Sequence, residues 1–213
     1  MEPLRLLFLG NSITWHPPAP EVSWEGDWGM AASGREADYV HRLAALLATR
    51  TGQLPVTRVE NIAAFERGYA TWQDPPRQQE WHRFAPDWIV LAIGENVPSL
   101  APVVERRRFC RHLRRLLVPL LAAAPGQLLV RSCFWPEPLR DRLLRRVCTQ
   151  LQGRFVDLAP LSQCPAYRAD AERSYAHAGV GAHPGDAGMQ AIAERLLAAL
   201  PASEEALTQR YRA

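Results

Sequence analysis

Short apolar segments alternate with longer segments of helical periodicity along the whole chain. The apolar segments have the length and composition of strands, which predicts strands at residues 4–9, 56–59, 88–93, 128–131 and 155–158. The third of these is apolar throughout, as expected for a central parallel strand that is buried on both faces. The alternation predicts an α/β fold, a three-layer α/β/α sandwich around a five-stranded, mostly parallel, doubly wound sheet.

The helical segments carry start and stop signals. Four helices are predicted, at residues 36–51, 103–124, 139–152 and 186–200. Ser33 and Glu36 are expected to form a capping box at the start of the first helix, and Gly52 to end it. Pro119 is expected to kink or divide the second helix, and Asp186 to cap the last.

Composition indicates the number of domains and argues against a nucleic-acid partner. With 213 residues, 47% hydrophobic and 22% charged, the chain is expected to form one globular domain over residues 1–213, with a tail at about 201–213. All 25 basic residues are arginines and the formal net charge is only +3. The arginine run at residues 106–115 is interpreted as the solvated face of a helix, so no nucleic-acid partner is expected.

The cysteines and the amino terminus indicate neither a metal site nor a membrane partner. The four cysteines lack CxxC spacing and nearby histidines at ligand intervals, so we expect free thiols. No signal-peptide pattern opens the chain, and no apolar run approaches the ~20 residues of a membrane span. A soluble, cytoplasmic protein is expected, although a chain already cleaved of its signal would look the same.

Three short motifs follow predicted strands or precede a predicted helix. Gly10-Asn11-Ser12 follows the first strand, Gly94-Glu95-Asn96 follows the third, and His183 stands before the last helix. In doubly wound sheets the ligand crevice lies beyond the carboxyl ends of the strands. A hydroxyl there can act as nucleophile, an amide can stabilise an oxyanion, and a histidine can transfer a proton near pH 7.

This ordered set resembles the SGNH/GDSL family of serine hydrolases, which places Gly-Asp/Asn-Ser near the amino terminus and the catalytic histidine before the last helix. The resemblance covers almost the whole chain and implies the flavodoxin-like SGNH hydrolase fold. It also implies that Ser12 is the nucleophile and His183 the general base and acid. Asn96 and the Ser12 backbone N–H would form the oxyanion hole, and no cofactor is implied.

The glycine block of that family is altered here. In residues 61–68, Ala63 and Glu66 stand where the family has glycines. Either Gly68 or a residue nearer Phe65 would then supply the loop N–H of the oxyanion hole. Two interpretations of Glu66 stay open: a solvated surface acid, or a polar group at the rim of the site that contacts substrate.

The family's aspartate, three residues before the histidine, is also missing, since position 180 is Val180. Either a backbone carbonyl orients the ring of His183, which makes a Ser-His dyad, or a carboxylate comes from elsewhere. Asp186 is the candidate carboxylate, although its position suits a helix cap better. A metal site of His177, His183 and Asp186 is an alternative, but the spacing matches no metal motif, so no metal is expected.

Two long connections, residues 14–34 and 160–182, leave the ends of strands and are expected to meet above the site. Trp15 and Trp28 lie in the first connection, and Trp135 follows another strand. Their rings would suit a sugar ring or an apolar acyl group of the substrate. The alternative is that these rings form a small core that anchors the loop.

The sequence therefore predicts a hydrolase of small carboxylic esters, with an acetyl group on a carbohydrate as the leading substrate. An acyl-enzyme on Ser12 would be the intermediate, with His183 as base. One alternative is a non-catalytic carbohydrate-binding or regulatory protein on the same scaffold. Another is a lipase or thioesterase for longer acyl chains, and the sequence gives no indication of the oligomeric state.

Overall fold

Five strands form a single parallel sheet in the computed structural model, which describes residues 2–123, 127–203 and 207. The strands are β1 (Arg5–Gly10), β2 (Val56–Asn61), β3 (Trp88–Ala92), β4 (Gln127–Arg131) and β5 (Arg154–Val156). Their order in the sheet is β2-β1-β3-β4-β5, and all four pairings are parallel. The predicted α/β class and all five strands are confirmed, with boundaries that differ by at most two residues.

Helices cover both faces of the sheet. They are α1 (Tyr39–Thr51), α2 (Ala63–Gly68), α3 (Pro75–Phe84), α4 (Val103–Ala123), α5 (Pro138–Gln150), α6 (Ala159–Ser162), α7 (Ala178–Gly181) and α8 (Asp186–Ala199). Side chains of α1 and α8 share one apolar cluster with Leu6 and Phe8 of β1. Side chains of α2 to α5 share the other with Leu7 and Leu9. Because alternate residues of a strand face opposite sides, the sheet is buried between two helical layers, as predicted.

The first helix begins later than predicted. The carboxylate of Asp38 accepts a hydrogen bond from the His41 backbone N–H at 2.9 Å and caps α1 at Tyr39. The predicted capping box of Ser33 and Glu36 is wrong, because a 3-10 turn precedes the helix. Gly52 ends α1 as predicted, with a left-handed φ of 74° that favours glycine.

Three other helix predictions need correction. Helix α4 is not divided at Pro119, which is exposed, so water can bond the carbonyl that loses its intrahelical partner; a kink there stays a prediction. Residues 61–68, interpreted as a loop, contain α2. Helix α3 was not predicted, because its sequence is polar and buries only Trp81, which leaves little apolar periodicity to detect.

The remaining sequence predictions concern the cysteines, the tail and the membrane. All four cysteines are free; Cys133 and Cys148 are buried, while Cys110 and Cys164 are half-buried. Most of the predicted tail lies outside the described residues, but Leu207 is buried and its carbonyl accepts a hydrogen bond from the Trp88 indole. Within the described ranges, no helix is long and apolar enough to cross a membrane.

The strand order places a crevice between β1 and β3. The chain passes from β1 to β2 on one side and later returns to β3 on the other side of β1. At such a reversal the connections after the two strands leave in opposite directions and open a crevice at their carboxyl ends. Ser12 follows β1 and Asn96 follows β3, so the topology brings both residues to this crevice.

Candidate active site

Ser12 and His183 meet at the crevice although they lie 171 positions apart in the chain. The Ser12 Oγ lies 2.9 Å from the His183 Nε2, which is hydrogen-bond distance. A tight turn after β1 presents the serine, and a Cβ on Gly10 would approach the Thr14 Oγ1 to 1.8 Å. Glycine is therefore required at position 10 for this turn to form.

A backbone carbonyl orients the His183 ring. The Gly179 carbonyl accepts a hydrogen bond from Nδ1 at 2.7 Å, so Nδ1 carries the proton and the Nε2 lone pair faces Ser12. Burial lowers the pKa of His183, although the bond to Gly179 opposes this shift. The ring is therefore neutral near pH 7, as a general base must be, and the arrangement is the Ser-His dyad among the predicted alternatives.

Asp186 is bonded elsewhere. It is the first residue of α8, whose N-cap is Gly185, so its predicted role as helix cap is wrong. Its carboxylate accepts a hydrogen bond from the Ser33 backbone N–H at 2.8 Å and forms an ion pair with Arg173 at 2.9 Å. The interpretation of Asp186 as the orienting acid is also wrong, because these bonds hold it while Gly179 occupies the His183 Nδ1.

His177 does not form a metal site with these residues. Its Nδ1 accepts a hydrogen bond from the Gly179 backbone N–H at 3.1 Å and caps the short helix α7. In the part of the chain that the structure describes, no three His, Cys, Asp or Glu side chains cluster as metal ligands would. His177 instead lines the cavity in front of Ser12.

Val180 belongs to an apolar cluster and also lines the cavity in front of Ser12. The Val180 side chain is buried in an apolar cluster with Trp24, Met30 and Ala169. Both long connections contribute to this cluster, and the Tyr175 hydroxyl donates to the Ala31 carbonyl between them at 2.8 Å. The prediction that the two connections meet above the site is confirmed, and their packing explains the valine at position 180.

Val180→Asp is expected to destabilise the protein rather than complete a catalytic triad. The carboxylate would be placed at a position that is 2% exposed and packed against apolar side chains, which should lower the free energy of unfolding by about 3 kcal/mol or more. Val104→Asp, at a valine that is 63% exposed, is the matched control and should be nearly neutral. Chemical denaturation compares the two variants, and a Val180→Asp variant of wild-type stability and higher activity would contradict the expectation.

Asn96 lies in the same cavity as Ser12 and His183. Its Nδ2 donates a hydrogen bond to the Glu66 Oε2 at 2.8 Å. An amide nitrogen carries two hydrogens, so one remains for an oxyanion in the cavity. In the described residues, no protein acceptor bonds the Ser12 backbone N–H, which leaves it as a second donor.

Glu66 lies beneath the cavity, fully buried. Its Oε1 accepts hydrogen bonds from the Gly94 N–H at 2.6 Å and the Asn96 N–H at 3.1 Å. Both predicted positions, the solvated surface and the substrate-contacting rim, are wrong, because α2 directs this side chain inward toward these donors. Burial and the charge of Glu95 raise its pKa, while the hydrogen bonds from Gly94 and Asn96 oppose the shift.

A buried ion pair adjoins Glu66. The Glu95 Oε1 lies 2.6 Å from the Arg131 Nη1, and their side chains are 6% and 0% exposed. The Glu95 Oε2 accepts a hydrogen bond from the Asn11 Nδ2 at 2.8 Å. Burial opposes ionisation of Glu95, but the Arg131 guanidinium and these donors hold its pKa below the usual value. The residue before Ser12 is thus tied to the loop that carries Asn96.

Sequence reasoning missed this ion pair and the role of Glu66. Arg131 was predicted only as the last residue of a strand. A single charged residue at the end of an otherwise apolar strand was the available signal, since such a charge must be paired when the strand is central. Three buried groups, Glu66, Glu95 and Arg131, therefore form one polar network under the site.

Glu66→Gln is expected to lower both stability and kcat, with little change in KM. A glutamine offers one acceptor oxygen where the carboxylate offers two, and its NH2 group would face donors. One buried donor left unbonded should lower the unfolding free energy by about 1–3 kcal/mol. Loosening Asn96 should reduce kcat by about tenfold or more. Glu80→Gln is the control, because Glu80 is in a surface ion pair with Arg58. Equal unfolding temperatures and equal kcat values for the two variants would refute the expectation.

The cavity in front of Ser12 has a volume of about 530 Å³. Both polar and apolar side chains line it beyond the reacting groups, including Trp15, His16, Val22, Met30, Asn61 and Arg67. His16, Asn61 and Arg67 were not predicted as site residues. Arg67 is exposed on α2, one residue after Glu66, and helical geometry directs these neighbours to different sides.

The predicted tryptophans divide between the cavity and the loop core. Trp15 lines the cavity, while the Trp28 ring packs edge-on against Trp24 at 5.7 Å, as in the loop-core alternative. The predicted substrate contact of Trp28 is wrong for that reason. Trp135 does not line the cavity either; its ring packs edge-on against the His183 ring, with 5.2 Å between the ring centroids.

Gly68 is not near the reacting groups. It is the last residue of α2, and the residues of this helix that line the cavity are Ala63, Ala64 and Arg67. The predicted oxyanion role of Gly68 is wrong, because the segment is helical and its final residue does not reach the cavity. The Ala63 N–H is occupied by the Asn61 Oδ1 at 2.9 Å.

Comparison with protein families gives one match over most of the chain. The model of the GDSL-like lipase/acylhydrolase family matches residues 8–191, which include Ser12, Asn96 and His183. A comparison with curated protein sequences finds no match.

Several solved structures share the fold. A family two carbohydrate esterase from Cellvibrio japonicus is 17% identical, with a TM-score of 0.56, and covers 92% of this chain, which spans 59% of its length. A family two carbohydrate esterase from Clostridium thermocellum, in complex with cellohexaose, is 18% identical, with a TM-score of 0.59. The match covers 93% of this chain and 64% of the esterase. The lipase Lip_vut3 from a goat rumen metagenome is 16% identical, with a TM-score of 0.57 and coverages of 92% and 97%.

Proposed function

Because this chain belongs to the GDSL-like lipase/acylhydrolase family, we propose that it is a serine hydrolase that cleaves small carboxylic esters through an acyl-enzyme on Ser12. One observation carries the proposal. The Ser12 Oγ lies 2.9 Å from the His183 Nε2, and the opposite ring nitrogen is bonded to the Gly179 carbonyl. This geometry gives a neutral base in the required tautomer beside a hydroxyl in an accessible cavity.

The reaction proceeds in two halves. His183 takes the Ser12 proton while Oγ bonds to the ester carbonyl carbon, and the resulting oxyanion accepts hydrogen bonds from the Ser12 N–H and the Asn96 amide. The ester C–O bond then breaks, and the alcohol leaves with the proton from His183. Water attacks the acyl-enzyme, giving its proton to His183, and the acid departs as the proton returns to Ser12.

An acetyl group on a carbohydrate is the proposed substrate class. The cavity of about 530 Å³ would hold a sugar ring against Trp15, within reach of the polar side chains of Asn61 and Arg67. The carbohydrate esterases among the structural neighbours support this choice by analogy alone. The dyad geometry argues against a non-catalytic binding protein, since binding alone does not require a base beside the hydroxyl.

Hydrolysis of p-nitrophenyl esters tests the proposal. We expect acetate to be hydrolysed faster than butyrate, and octanoate slowest. A fluorophosphonate probe should modify the protein at Ser12, as located by peptide mass spectrometry, because the dyad activates that hydroxyl. A preference for octanoate would favour the lipase or thioesterase alternative. No hydrolysis and no labelling would favour the binding-protein alternative.

The pH dependence of the reaction should show a neutral His183 as the active form. Burial lowers the pKa of this ring, so kcat/KM should rise with pH and reach half its maximum below the ordinary imidazole value of about 6.5. Initial rates with p-nitrophenyl acetate between about pH 4 and 8 measure this limb. A midpoint clearly above pH 6.5 would indicate a carboxylate beside the ring and would contradict the dyad.

A further inference from the structure

A second concave surface lies between α4 and α5, on the outer side of the layer that these helices form. Its volume is about 850 Å³, larger than that of the Ser12 cavity, and the two share no lining residue. We call it the α4–α5 groove. On α4 its lining extends from Val103 to Pro119, a length of about 24 Å at the rise of an α-helix.

Seven arginines line the α4–α5 groove: Arg106, Arg107, Arg111, Arg114, Arg115, Arg142 and Arg146. No aspartate or glutamate is among the lining residues. For the described part of the chain, none of the seven forms an ion pair with a carboxylate, whereas Arg108 and Arg145 outside the groove pair with Glu105 and Asp157. The groove therefore concentrates positive charge that the protein does not neutralise.

This concentration contrasts with the charge of the whole molecule. The chain has 25 basic and 22 acidic residues, so the part outside the groove has more carboxylates than guanidinium groups. The arginines of α4 and those of α5 form the two walls of the groove. The interpretation of residues 106–115 as a solvated helical face covers only the α4 wall, and Arg142 and Arg146 form the other. Like charges held this closely repel one another, and an anionic occupant would relieve the repulsion.

Apolar side chains share the lining of the groove with the arginines. We call them the floor: Val103, Val118, Pro119, Leu139 and Leu143, of which Val103 and Val118 are 56% and 44% exposed. An occupant that matches both floor and walls has an apolar stripe bordered by negative charges. No aromatic side chain is among the lining residues, so the groove lacks the stacking surfaces that single-stranded nucleic acids use.

We propose that the α4–α5 groove binds an acidic amphipathic helix of a partner protein. The apolar stripe of that helix lies on the valine and leucine floor, and its Asp and Glu side chains contact the arginines of both walls. The length of the groove accommodates about four helical turns. This binding site is separate from the esterase site and does not depend on the proposed function.

A designed peptide tests the match between groove and helix. The probe is a fluorescent peptide of about 18 residues with leucines on one helical face and glutamates on both sides of it. Its Kd for the full chain, from fluorescence anisotropy, should be at least about tenfold lower than that of a peptide of the same composition whose leucines are scattered. Equal Kd values would overturn the proposal, as would tighter binding of an oligonucleotide or of phosphatidylglycerol vesicles.

Matched variants locate the binding surface. Arg111→Glu and Arg146→Glu should each weaken peptide binding by about tenfold or more, and Val118→Gln should weaken it through the floor. Arg108→Glu and Arg145→Glu, on the same two helices but outside the groove, should leave the Kd within about twofold. Similar Kd values for groove and control variants would overturn the proposal, and a wild-type thermal unfolding temperature in all five would show that each is folded.

Discussion

Replacing Ser12 with alanine is expected to reduce kcat/KM for p-nitrophenyl acetate by about 10⁴-fold or more. The alanine removes the atom that forms the acyl-enzyme and leaves His183 with no hydroxyl to activate. Only the oxyanion donors would remain, and they can assist direct attack by water to a small extent. Initial rates of p-nitrophenol release, corrected for the buffer blank, measure the effect.

Ser174→Ala is the control for Ser12→Ala, because Ser174 is an exposed serine in the second long connection. Both variants should unfold at the wild-type temperature, and only Ser12→Ala should lose activity and resist the fluorophosphonate probe. A Ser12→Ala variant that retains about a tenth or more of the wild-type rate at the same ester concentration would exclude the acyl-enzyme on Ser12.

Replacing Asn96 with alanine is expected to lower kcat by about 10²- to 10³-fold with little change in KM. The amide donates to the oxyanion, which exists only after attack, so its loss affects the transition state more than substrate binding. Glu66 holds the amide in place from below, at 2.8 Å between Asn96 Nδ2 and Glu66 Oε2. Steady-state kinetics with p-nitrophenyl acetate separate kcat from KM.

The alternative for Asn96 is a role in binding the alcohol part of the substrate. In that case Asn96→Ala would raise KM and leave kcat nearly unchanged, which contradicts the oxyanion role. Asn96→Asp provides a second comparison, because the residue keeps its shape but places a carboxylate beside Glu66 and the developing oxyanion. We expect it to be at least as slow as Asn96→Ala, since like charges destabilise the transition state.

The sheet was predictable because its strands are buried on both faces. Every residue of β3 is buried, so the strand reads as an uninterrupted apolar run. The start of α1 could not be predicted from the apolar pattern in the same way. Ser33 and Asp38 are both good capping residues, and only the packing of the first connection, where the Gly29 N–H also bonds Asp38, selects between them.

The meeting of Ser12, Asn96 and His183, the proposed reacting groups, was predictable, and the residues that support them were not. Ser12, Asn96 and His183 each stand in a motif at a strand or helix end, so local sequence and topology suffice to bring them together. Nothing in the local sequence distinguishes Glu66 and Glu95 from surface acids. Their burial depends on partners that are distant in the chain, the Gly94 N–H for Glu66 and Arg131 for Glu95. A carbonyl such as that of Gly179 carries no mark in the sequence at all.

Because the group that orients His183, the proposed base, is a main-chain carbonyl, no change of side chain can remove it. In a triad, one codon change can delete the carboxylate that orients the histidine, but every amino acid at position 179 would still supply a main-chain oxygen. The orientation of His183 therefore depends on the path of the backbone and not on the identity of one side chain. Deleting one residue between His177 and His183 would break the turn in which the Gly179 carbonyl meets the ring, four residues ahead. Alanine at position 179 would keep the oxygen but bring a Cβ to 2.9 Å from the His177 ring, so a single-codon deletion is the more direct test of the carbonyl.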